Sequence, residues 1–62
     1  MSVFLSNKTG KILMTYPDIN YLSVGDFILI NSFNEVEYII VKKRFNTTCN
    51  TIEYFIEENK EV

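Results

Sequence analysis

Glu37 to Phe45 reads EYIIVKKRF: an unbroken apolar run, Tyr38 to Val41, passes straight into three consecutive cations, Lys42, Lys43 and Arg44, and then an aromatic. Branched and aromatic residues at this density favour an extended chain, and apolar residues on successive positions put apolar groups on both faces of it. The stretch therefore predicts a central β-strand running from about Glu35 to Phe45. Everything else in the sequence can be placed around that strand.

Working outward, Asp26 to Asn31 (DFILIN) has the same character and is separated from the central strand by Ser32-Phe33-Asn34. On the other side, Asn46 to Asn50 (NTTCN) is a polar turn leading to Thr51 to Glu58 (TIEYFIEE), where Ile52, Tyr54 and Ile56 alternate with Glu53, Phe55 and Glu57. The alternation selects a strand over the helix that the glutamates alone would suit. Nearer the start, residues 2 to 6 (SVFLS) and 11 to 16 (KILMTY) flank Asn7-Lys8-Thr9-Gly10, the pattern of a first hairpin. Pro17 lacks a donor for a strand ladder and holds Tyr16 extended, so the second strand ends there. Residues 17 to 25 form the longest irregular connection, closed by a type II turn at Ser23-Val24-Gly25-Asp26 with Gly25 in the position that requires a positive φ. Asn59 to Val62 is a polar tail expected to fray. The prediction is a single all-β domain over residues 1 to 62: a small five-stranded antiparallel meander or SH3-like barrel.

Composition bounds the chemistry. A chain of 62 residues buries only about 60% of the surface its unfolded form exposes, so domains of this size usually carry a disulfide, a metal or a partner subunit. One cysteine and no histidine exclude an intramolecular disulfide and the usual zinc sites. An apolar core, supplied here by 47% hydrophobic residues with four Tyr and five Phe, or self-association is left. The absence of histidine also removes Ser-His and Cys-His nucleophile pairs. Gly10 and Gly25 are isolated and form no phosphate-cradling loop. Asp18 and Asp26 flank the long connection as turn-capping acids, and Cys49 sits in a polar turn with no base beside it. The expectation is a protein without catalytic residues, cofactor or metal.

A net charge of −2 argues against a general nucleic-acid binder. No leader is visible at Met1 to Ser6, and the longest apolar run is four residues, so the chain is expected in the cytoplasm and not across a membrane. The Asn7-Lys8-Thr9 and Asn46-Thr47-Thr48 sequons are then coincidental.

Two surfaces stand out as candidates. Ile39, Val41, Phe55 and Phe33 are apolar positions with no cover in sight, which points to an interface with another copy or another protein. Lys42, Lys43, Arg44 and Phe45 combine cations with a ring, the composition that holds a phosphate while stacking on a base, so a nucleic-acid or nucleotide ligand is the alternative. Against it, adjacent strand residues alternate faces, and the same cations can keep a sheet edge soluble or pair with Glu53 or Glu57 on the next strand. The register is open by one residue: Glu53 faces Lys43 or Arg44, and a slip exchanges the two faces.

From Val24 to Glu58 the succession Gly25-Asp26, an apolar strand, a short turn, Glu37-Tyr38 with Ile39 to Val41, Arg44-Phe45, and the closing strand 51 to 58 resembles short SH3-like β-barrel proteins encoded by bacteriophages and mobile elements. The resemblance covers a little over half of the chain and carries no site residues. It implies a small accessory protein that works by binding, either blocking a host protein or sequestering a small signal molecule.

Overall fold

A computed structural model describes residues 1 to 17, 19, 21 to 31 and 35 to 59, with the backbone alone described at 31 and 35. Five strands form one curled, half-barrel sheet, and none of the described residues is helical: β1 (Ser2–Ser6), β2 (Ile12–Tyr16), β3 (Phe27–Asn31), β4 (Glu35–Asn46) and β5 (Thr51–Glu58). No helix among the described residues is long and apolar enough to cross a membrane. The predicted segments match the observed ones to within a residue at each end. The tail expected from Asn59 begins differently, because the Asn59 amide N–H donates to the Glu37 carbonyl at 2.8 Å; residues 60 to 62 lie outside the described residues.

The strand order is β2-β1-β5-β4-β3. A purely antiparallel meander was expected, and the sheet is mixed: β1 and β5 pair in parallel, while the other three pairs are antiparallel. The cause lies in residues 17 to 26, which are too long for a hairpin and carry the chain from the β2 edge across to the opposite edge. Because β3 starts out from the end of the sheet where β2 stopped, it runs in the direction of β1. Two antiparallel reversals then bring β5 back in that same direction, so its docking against β1 is parallel.

The turns follow the local chemistry. Asp26 N–H donates to Ser23 O at 3.0 Å, with Gly25 at φ +97°, which is the expected type II turn. The Asp26 carboxylate accepts from the Ser23 N–H at 2.8 Å and so caps the same turn. Between β4 and β5 the chain reverses with Asn50 at φ +55°, a conformation that Asn tolerates better than most residues.

The core lies on the concave face and consists of Phe4, Ile40, Tyr54 and Ile56, with Met14, Leu22, Ile28, Ile30, Tyr38 and Ile52 packed around it. The Phe4 and Tyr54 rings are cross-strand neighbours in the parallel pair and stack with centroids 5.2 Å apart, adding about 0.5–1.5 kcal/mol to the area they bury.

The concave face has two unlike ends. At one end the 17–26 connection crosses over the sheet and is tied down at several points. The Ser2 hydroxyl accepts from the Ile19 N–H at 2.8 Å and donates to the Ile19 carbonyl at 3.2 Å. The Tyr54 hydroxyl donates to the same carbonyl at 2.6 Å, and Lys43 Nζ donates to Leu22 O at 3.0 Å. At the other end no described segment crosses, and a cleft of about 450 Å³ opens between Leu13, Tyr38 and Ile56.

Candidate functional site

The basic run is divided by a β-bulge. In the β4–β5 ladder Ile40 pairs with Ile56 and Lys42 with Phe55, so Val41 is the extra residue. A bulge resets the alternation of side chains, with direct consequences here. Tyr38 and Ile40 face the core before it, Lys43 and Phe45 face the concave side after it, and Lys42 and Arg44 point to the convex side. Without the bulge Lys42 and Arg44 would be aimed at the core. The register expected to be ambiguous resolves as Arg44 opposite Glu53.

On the convex face Phe55 lies between two cations, with Lys42 Nζ 5.2 Å and the Arg44 guanidinium carbon 5.1 Å from its ring centroid. Arg44 is also bonded to Glu53, its Nε donating to Oε1 at 2.6 Å, and Asn46 Nδ2 donates to Oε2 at 3.1 Å. Those two hydrogen bonds, with the positive charges of Arg44 and Lys42, hold the Glu53 carboxyl below its ordinary value of 4.5, outweighing partial burial that acts the other way. The cross-strand charge pairing anticipated between the acidic and basic strands is therefore Arg44 with Glu53.

Lys43 works on the other side of the sheet. Its ammonium lies 5.3 Å from the Phe45 ring centroid and 5.6 Å from that of Tyr54, and it donates to Leu22 O. Lys43 is thus a strap for the crossing connection. Burial raises the Tyr54 hydroxyl above its ordinary value of 10.0, partly offset by a backbone hydrogen bond from the connection. The four proposed ligand-binding residues consequently form no single surface: Lys42 and Arg44 flank Phe55 on one face, while Lys43 and the exposed Phe45 belong to the other.

The interface candidates fare differently. Ile39 is half-buried on the convex face, opposite Phe27 on β3 and Glu57 on β5. Val41 is the half-buried bulge residue, and Phe55 is half-buried beneath its two cations. Phe33 lies outside the described residues. The convex apolar surface extends to residues that the sequence reading did not single out: Phe27 and Leu29 are 56% and 55% exposed. They alternate with Ile28 and Ile30, which turn to the core. The uninterrupted FILI run was the available signal, but it did not reveal which half would be left uncovered. The long connection covers the concave side, not this one.

Among the described residues no group of three or more Cys, Asp or Glu side chains could hold a metal ion. Cys49 is exposed in the β4–β5 turn. Comparisons with protein-family models, with curated proteins and with solved structures gave no match.

Proposed function

We propose that this chain is a small, non-enzymatic binding protein that self-associates through the convex face of its sheet. The observation that carries the reading is the row formed by Phe27, Leu29 and Ile39, two of its three members more than half exposed, beside Phe55. Large side chains gathered on one face of so small a domain leave apolar area in water that a second copy would remove. The backbone supports the same reading, because the outer edge of β3 pairs with no described residue and the strand carries no charge, proline or bulge to blunt it. The resemblance to phage-borne accessory barrels adds that a host protein blocked by this chain would occupy the same face and compete with self-association.

Light scattering on the purified chain tests the proposal. A mass that is a multiple of the monomer is expected, falling to the monomer in Leu29→Lys. That variant keeps the fold, since the new ammonium stands opposite Glu37 on β4. A wild-type chain that is monomeric at high micromolar concentration overturns self-association. The nucleic-acid alternative receives less support, because Arg44 is paired with Glu53 and Lys43 is engaged with Leu22.

A further inference from the structure

The cleft at the open end of the concave face has a charge pattern that selects a ligand class. Its apolar wall is Leu13 from β2 and the half-buried ring of Tyr38 from β4, and the fully buried Ile56 of β5 closes the floor. Its rim carries Lys8 from the β1–β2 turn and Glu58 at the end of β5, which pairs with Tyr38 and shares its face. The polar groups here are only partly used. The neighbouring Glu57, opposite Ile39, turns to the convex side, where its Oε2 accepts from Asn7 Nδ2 at 2.6 Å. The Lys8 ammonium, the Glu58 carboxylate and the Tyr38 hydroxyl bond to no described residue. The contrast with the closed end is direct, since Tyr54 there has its hydroxyl bonded at 2.6 Å.

We infer that this cleft binds a small zwitterion with an apolar body, the class of free aliphatic amino acids. The α-ammonium would meet Glu58. The α-carboxylate would take donors from Lys8 and Tyr38, and the side chain would lie against Leu13 and the Tyr38 ring. The volume of about 450 Å³ falls in the range of small-molecule pockets. The site stands apart from the convex face and does not depend on self-association.

A titration of the full chain followed by amide chemical shifts tests this, using L-leucine, isopentylamine (no carboxylate) and 4-methylpentanoate (no ammonium). Saturable shifts at Ser6, Tyr38 and Ile56 are expected with L-leucine at about millimolar affinity, and weaker shifts with both the amine and the acid. Lys8→Gln and Glu58→Gln, both at exposed positions, should each weaken L-leucine about tenfold, since a hydrogen bond to a charged group contributes at least that factor. The inference is overturned by absence of shifts at these residues, by the amine or the acid binding as well as L-leucine, or by unchanged affinity in both variants.

Discussion

Tyr54 and Tyr38 occupy the same face of the same sheet and live in opposite surroundings. Tyr54, on β5, is fully buried, stacked on Phe4, and bonded through its hydroxyl to the segment that crosses the closed end. Tyr38, on β4, lines the open cleft, and its hydroxyl bonds to no described residue. The difference comes from where the 17–26 connection passes. It covers the end of the sheet that β2 leaves and β3 departs from, so the Tyr54 ring is sealed under it while the Tyr38 ring, beyond Ile40 and Ile56 in the core, borders a cleft.

Truncating each ring breaks this comparison most forcefully. Tyr54→Ala removes a fully buried aromatic, a loss of about 3–5 kcal/mol, set against a total stability on the order of 3–9 kcal/mol for a domain of this length. The variant is expected to be largely unfolded at room temperature by circular dichroism. Tyr38→Ala should cost less than about 2 kcal/mol, because part of that side chain is already in water. Equal losses at the two positions would show that the ends are not energetically distinct. The hydroxyl of Tyr54 adds an alkaline limb. With its folded pKa raised, its contribution is complete below the ordinary value of 10.0 and is lost as pH rises through the raised value.

A smaller effect is expected at the strap. Lys43→Met keeps the aliphatic stem against the Tyr54 and Phe45 rings while deleting the ammonium that donates to Leu22 O. The cost should be about 1–2 kcal/mol. Amide exchange should quicken at Ile19, Leu22 and neighbouring residues of the connection and stay unchanged at Ser6 and Ile56 in the open end. Uniform acceleration across both ends would mean that Lys43 supports the sheet as a whole and not the crossing.

Much of this architecture was legible in the sequence. The segments around Pro17, Gly25, the apolar FILI and YIIV runs and the alternation in TIEYFIEE are set by local chemistry, and each strand falls where that chemistry places it. Less legible was anything that depends on which strand meets which. The parallel β1–β5 pair follows from the path of the long connection, and a run such as PDINYLSVG does not announce whether it turns back or crosses. The bulge at Val41 was equally hidden, although it decides the faces of Lys42, Lys43, Arg44 and Phe45. YIIVKKRF has no glycine or other local mark to show where alternation slips, so a run that reads as one basic motif is divided between two sides of a sheet. Lys8 and Leu13, from the first hairpin, meet Glu58 through topology alone, because the parallel β1–β5 pair brings the two ends of the sequence together.

The smallest expected effect lies behind the closed end, on the convex face, where Glu53 sits beside Val3 and opposite Arg44. Its carboxyl is held below the ordinary value of 4.5 by Asn46 and Arg44. A carboxylate shifted in this direction contributes stability that is present above 4.5 and lost as pH falls through the lowered value. Glu53→Gln should therefore lose a little stability at neutral pH and almost none in strong acid, so that the two proteins converge on acidification. The size is limited because the Arg44 side chain is 52% exposed and such pairs are worth up to about 1 kcal/mol. Arg44 also covers Phe55, so Glu53→Gln frees the guanidinium to leave the ring and lets convex-face association be measured with Phe55 less shielded. Denaturant melts of wild type and Glu53→Gln across the acid range would read the convergence. A constant gap down to the lowest pH would place the contribution of Glu53 in packing against Val3, not in its charge.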